Sequence, residues 1–318
     1  MISSLRSAIG TQLNFRALKK HYSKLGWRDA PKYTKFLVDS RRSLEDSLLP
    51  TGEIQQNVDQ FERDGFTVLW SPENEAIANS MFSKIKAREA AGEDIWDLSG
   101  GGLYTHQGYR GDLWKDFPEF EGVFHGVLGG FLENYYRTHF KIYYSSLLRS
   151  QRNNNSSRAG SQQWHNDAGP GTCIIVGFYL HPTNEHSGCF QCLNWKDSLD
   201  IYKHERKVLQ KRIQEYCRGN GKNLQQLEKM ELRSLLTSWY EEKINAGFQG
   251  GVNTPMGKAG SMVAFRNNIL HRGGFPDVGH ERYIILTHVY PSPLKTPYQL
   301  YRQVGVGKKG GYPRDPAF

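Results

Sequence analysis

Cysteine is scarce in this chain. Four thiols in 318 residues, Cys173, Cys189, Cys192 and Cys217, are too few to staple a domain of this size. No apolar signal-like segment precedes them, so reduced thiols in a cytoplasmic setting are expected. Long apolar runs are also missing. None approaches the roughly 20 residues that a membrane-spanning helix needs, and no span is expected. Acidic residues are missing from residues 1–28, and residues 295–318 have only Asp315. The net charge of +9 divides into +6 over residues 1–28, +4 over residues 295–318 and −1 over everything between. A nucleic-acid enzyme would carry its basic residues around its cleft, so the expected partner of the body is a small molecule and not a nucleic acid. Two catalytic signatures are missing as well. There is no H-E-x-x-H, which argues against a zinc hydrolase, and no H-x-H pair with a nearby glutamate, which argues against a cupin-type metalloenzyme. Cys189 and Cys192 are spaced C-x-x-C, but they share one short strand and have no partner pair, so they read as buried packing.

What is present falls into two parts. Residues 1–50 read as a basic helical extension, with Leu5, Ile9, Leu13 and Leu18 near one face. The pattern breaks at Leu48-Leu49-Pro50-Thr51-Gly52, and residues 51–318 read as one domain. Its text is mainly β. A turn followed by a short strand is expected over 61–70, and strands near 140–149, 172–180, 188–193, 261–265 and 282–289, with helices over 73–91 and about 118–138. Residues 198–246 interrupt this with two helices split at Arg218-Gly219-Asn220-Gly221. Short strands with long connections favour a jelly-roll barrel carrying one helical insertion. The insertion falls between two barrel strands, where it is placed to cap the mouth of a site or to serve as an outrigger.

Four side chains carry the chemistry. In His165-Asn166-Asp167 the imidazole and the carboxylate are two apart, so on a strand both face one way while Asn166 faces the other. His271 ends the run Ala264–Leu270 and is followed by Gly273 and Gly274. Arg282 opens the next strand, and alternation puts it with Ile284, Leu286 and His288. Two neutral imidazoles and one carboxylate fill one face of an octahedral ion and leave the other open, the donor set of a mononuclear non-haem iron(II) oxygenase. A bidentate 2-oxo acid and dioxygen suit the open positions, and arginine is the natural clamp for the acid's far carboxylate. Each residue also has a plainer reading: H-x-D as a surface turn, His271 as a core histidine, Arg282 as a surface cation. Tyr104, His106, Tyr109 and Trp114, in an aromatic loop punctuated by glycines, are candidates for a facing substrate wall.

Several stretches resemble the phytanoyl-CoA dioxygenase family. Gln162-Gln163-Trp164-His165-Asn166-Asp167 looks like its metal-binding strand, Asp64-Gly65-Phe66-Thr67-Val68 like its opening strand, and Ser187-Gly188-Cys189-Phe190-Gln191 like its N-G-C-L strand. Gly260–Phe265 with His271 and Arg282 resembles its closing pair. The match covers roughly residues 55–293, the insertion excepted. The resemblance implies a double-stranded β-helix that uses Fe(II), 2-oxoglutarate and O2. His165, Asp167 and His271 would ligate iron, and Arg282 would bind the C5 carboxylate of 2-oxoglutarate. It implies hydroxylation of a small organic substrate with release of succinate and CO2; related halogenases lack the carboxylate that Asp167 supplies. The alternative on the same fold is a metal-binding barrel without catalysis. Three features depart from the family pattern. Asn194-Trp195-Lys196-Asp197-Ser198 stands where members have Pro-Gly-Ser-His, Gly273 stands where many have serine or threonine, and the insertion is longer.

Overall fold

The structure, a computed structural model, describes residues 52–97, 106–137, 139–152, 158, 160–167, 173–246 and 251–292. The basic extension over residues 1–50, Tyr104 and the basic C-terminal segment lie outside the described residues. Among the described residues no helix is long and apolar enough to cross a membrane.

Helix α1 (Gly52–Asp64) turns at Gly65 into strand β1 (Phe66–Leu69). Gly65 has a φ of +81°, a conformation that costs a glycine little. Helix α2 (Pro72–Ala90) starts where Ser71 accepts from the Asn74 N–H at 3.3 Å, with Pro72 in the first turn, where its missing N–H is harmless. Two short strands follow, β2 (Trp96–Asp97) and β3 (His106–Tyr109), and then a one-turn helix α3 (Leu113–Asp116). The single helix expected over 118–138 is two pieces. A 3-10 segment at Pro118–Phe124 is separated from α4 (Val127–Tyr136) by His125 and Gly126, the latter at φ +70°. The left-handed glycine ends one helical course and lets the next begin at a new angle.

Strands β4 (His139–Gln151), β5 (Ile174–Tyr179), β7 (Met262–Arg266) and β9 (Glu281–Ser292) join β1, β2 and β3 in a seven-stranded antiparallel sheet ordered β1-β7-β5-β9-β4-β3-β2. The minor sheet pairs β6 (Gln191–Cys192) with β8 (His271–Arg272). Isolated bridges widen it, His165 to His271 on one side and Asn253 to Cys192 on the other. The architecture is therefore mainly β with flanking helices, two antiparallel sheets face to face in the jelly-roll manner.

Three cores follow from this layering. On the outer face of the major sheet, Ile174, Val176 and Phe178 pack with Phe61, Met81, Phe120 and Phe131 from the helical side. Between the sheets lie Ile175, Tyr179, Phe190, Val263, Phe265 and Ile284. Strand β5 is buried along its whole length because both its faces are covered, and that explains its unbroken apolar text. Behind the minor sheet, Trp164, Leu193 and Leu270 pack with Ile201, Tyr202, Trp239, Tyr240 and Ile244 of helices α5 (Trp195–Gly219) and α6 (Lys229–Asn245).

The insertion is thus a buttress. Its apolar faces cover the outside of the minor sheet, and these contacts do not build a cap over the inner space. Helix α5 begins three residues before the expected 198, because Asn194 caps it through the Asp197 N–H at 2.8 Å. In its first turn Ser198 Oγ accepts from the Leu270 N–H at 3.0 Å, and the Tyr202 hydroxyl donates to the Asn268 carbonyl at 2.8 Å. Helix and strand are fastened just ahead of His271.

Candidate metal centre and anion pocket

Backbone pairing brings the two histidines together. The His165 N–H donates to the His271 carbonyl at 3.0 Å, and the His271 N–H returns to the His165 carbonyl at 2.9 Å. The Asp167 N–H donates to the Asn267 carbonyl at 2.9 Å. Alternation turns Trp164 and Leu270 outward to the insertion and His165, Asp167 and His271 inward. The ring centroids of the two histidines are 4.4 Å apart. Ligand atoms from all three residues lie within 4.8 Å of one another.

The ring tautomers follow from the backbone. His165 Nδ1 lies 2.7 Å from the Gln163 carbonyl, and His271 Nδ1 lies 2.9 Å from the Ile269 carbonyl. A carbonyl only accepts, so each Nδ1 carries the proton and a neutral ring presents its Nε2 lone pair. His165 Nε2 is 3.8 Å from Asp167 Oδ1, and His271 Nε2 is 3.5 Å from Asp167 Oδ2. Three acceptors thus converge on one place, and only a cation among them, a proton or a metal ion, relieves their repulsion. Burial alone would push the Asp167 carboxyl up. The closeness of His271 first, then of His165 and His288, more than reverses that and holds it at about 2. The carboxylate is ionised across the neutral range. Two imidazoles with carbonyl-fixed orientation and one carboxylate suit a divalent first-row ion.

Arg282 lies in the same space between the sheets, 3% exposed on β9. Its Nη1 donates to the Gly188 carbonyl and its Nη2 to Ser150 Oγ at 3.3 Å, while its Nε finds no partner. Among the described residues no carboxylate pairs with it. Burial pulls its pKa down, opposed by Tyr179 and Cys189. A guanidinium held this way is costly until an anion meets it. Arg282 is linked to the triad through Gly273, two residues after His271. A Cβ there would stand 3.4 Å from Arg282 Nη2 and 3.4 Å from His106 Nε2.

The three described residues of the aromatic loop separate. His106 faces inward beside Arg282, its Nδ1 2.6 Å from Ser150 Oγ. Tyr109 faces the other way, as three positions along a strand require, and stacks edge-on with Trp96 while its hydroxyl donates to Asp116 at 2.6 Å. Trp114 is buried with Phe120 and Phe124 in the helical-side core. Tyr109 and Trp114 therefore do not stand beside the triad, and Tyr104 is outside the described residues. Sequence reading missed Ser150 and the Gly188 carbonyl. No motif marks Ser150, and its only signal is its register opposite Arg282.

Gly274 holds the loop that supplies the Gly188 carbonyl. A Cβ there would lie 2.0 Å from the Cys189 carbonyl oxygen and 2.4 Å from the Gly188 carbonyl carbon, both backbone atoms that cannot swing aside. Gly274→Ala is expected to destabilise the fold by about 1–3 kcal/mol, the usual cost of overpacking. A urea denaturation midpoint unchanged from wild type would show that the loop yields.

No protein-family model matches the sequence and no curated protein matches it. Solved structures do. AviO1 from Streptomyces viridochromogenes Tue57 is similar at 17% identity over 78% of this chain and 99% of its own, with a TM-score of 0.46. The epimerase SnoN, in complex with Fe3+, alpha ketoglutarate and nogalamycin RO, is similar at 10% identity over 82% and 93%, TM-score 0.47. EctD from S. alaskensis, with 2-oxoglutarate and 5-hydroxyectoine, is similar at 14% identity over 76% and 78%, TM-score 0.45. These are partial likenesses in the course of the chain, and the reading of the site stands on its own side chains.

Proposed function

We propose that this chain is an Fe(II)- and 2-oxoglutarate-dependent oxygenase of the phytanoyl-CoA dioxygenase type that hydroxylates a small organic substrate. The observation that carries the reading is a pairing. A three-acceptor cluster that needs a cation and a buried guanidinium that needs an anion share one space, joined by the short link from His271 through Gly273 to Arg282. A dicarboxylic 2-oxo acid meets both needs, with its oxo-acid end at the metal and its far carboxylate at Arg282.

His165, Asp167 and His271 would hold the ion. Bound Fe(II) supplies the redox chemistry, in which O2 decarboxylates the oxo acid to succinate and CO2 and one oxygen atom enters a substrate C–H bond. The chain's own part is positioning. The Gln163 and Ile269 carbonyls fix the imidazole tautomers, the Asp167 carboxylate is ready without deprotonation, and Arg282 aligns the acid. Phe190 and Phe265, with ring centroids 5.7 Å and 4.8 Å from that of His271, wall the ligand from water on the core side.

Anaerobic titration of the protein with Fe(II) and 2-oxoglutarate is expected to give the weak visible charge-transfer band of a chelated oxo acid, and admission of O2 to release succinate. Tight metal binding with neither band nor succinate would identify a metal-binding barrel without catalysis.

A further inference from the structure

His106, Ser150 and Arg282 lie in one row across three adjacent strands, since His106 pairs with Ser150 and Ser150 with Arg282 in the sheet register. The row fixes where the protons are. Arginine only donates, so Ser150 Oγ accepts from Arg282 Nη2 at 3.3 Å. The hydroxyl has one proton of its own. Its other partner among the described residues is His106 Nδ1 at 2.6 Å, and that proton goes there. A neutral imidazole that accepts at Nδ1 carries its hydrogen on Nε2. Burial, helped by the Arg282 charge, keeps the ring neutral by pushing its pKa down to about 3. The His106 Nε2–H and Arg282 Nη2 then both lie 3.4 Å from the point that a side chain on residue 273 would occupy, and Gly273 leaves that point clear. The pocket therefore offers donors from two side chains, with the Arg282 Nε–H still unpartnered.

We infer that His106 and Arg282 together form a two-donor receptor for the distal carboxylate of a dicarboxylic 2-oxo acid, with Ser150 as the positioning residue that sets the imidazole tautomer. The inference rests on the oxygenase reading for the identity of the acid. It adds a residue and a selectivity. Arginine alone attracts any anion, whereas a second fixed donor at the same distance from the Gly273 position suits a carboxylate with an oxygen for each partner. An oxo acid without the distal carboxylate has the same metal-chelating end and gains nothing at this one.

The test uses the full chain loaded with Ni(II), which binds without turnover, and calorimetry with 2-oxoglutarate and with 2-oxobutyrate. Wild type is expected to prefer 2-oxoglutarate. His106→Ala is expected to weaken 2-oxoglutarate about tenfold or more, the loss of one hydrogen bond to a charged group, and to leave 2-oxobutyrate unchanged. His106→Gln, whose amide N–H donates, is expected to recover part of the loss. Nitrogen-15 spectra of the histidine rings, with the His106 signal assigned by its absence in His106→Ala, are expected to show the Nε2–H tautomer in wild type and its loss in Ser150→Ala. An unchanged acid preference in His106→Ala, an equal loss for both acids, or an Nδ1–H tautomer in wild type would overturn the inference. Equal wild-type affinity for the two acids would overturn the receptor and leave the oxygenase reading standing. Binding of neither acid by protein that holds the metal would overturn both.

Discussion

Asp167→Ala is expected to abolish succinate formation, with turnover reduced by more than about a hundredfold, because losing even a supporting partner of a metal ligand costs 10- to 100-fold. Asp167→Asn is expected to behave almost as badly, since it keeps the shape and loses the charge. Two neutral rings on an otherwise uncharged site hold a ferrous ion far less firmly than a site with an anionic oxygen. The fold is expected to survive in both variants. The Asp167 backbone N–H, bonded to the Asn267 carbonyl, is what seats this segment, and a side-chain change leaves it in place. Two measurements separate the possibilities. Metal content by elemental analysis should fall in step with turnover, and the thermal shift that Fe(II) or Ni(II) produces in wild type should vanish. An Asp167→Asn protein that keeps a tenth of wild-type turnover would remove the carboxylate from the ligand set. The pH profile carries a related expectation. The Asp167 carboxyl titrates near pH 2 in the folded protein, so it is ionised on both sides of neutrality. Mild acidification is then expected to leave this ligand charged, so any metal release above about pH 4 is not expected to come from the carboxyl.

Much of this arrangement is visible in the text because it depends on short-range periodicity. The H-x-D spacing puts His165 and Asp167 on one side of a strand wherever that strand lies. The alternation Arg282, Ile284, Leu286, His288 matches an inward row, with Ile284 and Leu286 in the core between the sheets. The helix break at Gly219–Asn220 and the buried strand at Ile174–Tyr179 are equally local. What the text hides is set by long-range register. Ser150 meets Arg282 across 132 residues, and His106 meets Ser150 across 44. Nothing near Ser150 announces either contact. The aromatic loop shows the opposite failure. Composition groups Tyr109 and Trp114 with His106, whereas pleating sends Tyr109 to the far side of the sheet and apolar surface draws Trp114 into the helical-side core. The insertion illustrates a third limit. Its position between two barrel strands fits either a cap or a buttress, and the deciding fact is which side of the minor sheet bears Trp164, Leu193 and Leu270.

Arg282→Met is expected to produce opposite changes in two quantities. Affinity for 2-oxoglutarate should drop by more than about a hundredfold, since two hydrogen bonds to a charged carboxylate contribute about 1.5–3 kcal/mol each. Stability of the ligand-free protein should hold or rise. The guanidinium is buried with no carboxylate partner among the described residues and an unpartnered Nε, and burying a charge in that state is unfavourable. Methionine fills similar volume, is flexible and carries no charge. The opposing loss is the bond to the Gly188 carbonyl, an acceptor that the variant leaves without this donor. Arg282→Lys should fall between the two, because it keeps the charge and loses the planar fork. Melting curves of Ni(II)-loaded protein with and without 2-oxoglutarate read both quantities. Wild type at a hundred times its dissociation constant should gain about 2.7 kcal/mol from the acid, and Arg282→Met should gain none at that concentration. The decisive contrary result is a ligand-free Arg282→Met that melts well below wild type yet is still stabilised by 2-oxoglutarate. The arginine would then be part of the scaffold, held there for the Gly188 loop, and the anion would bind elsewhere.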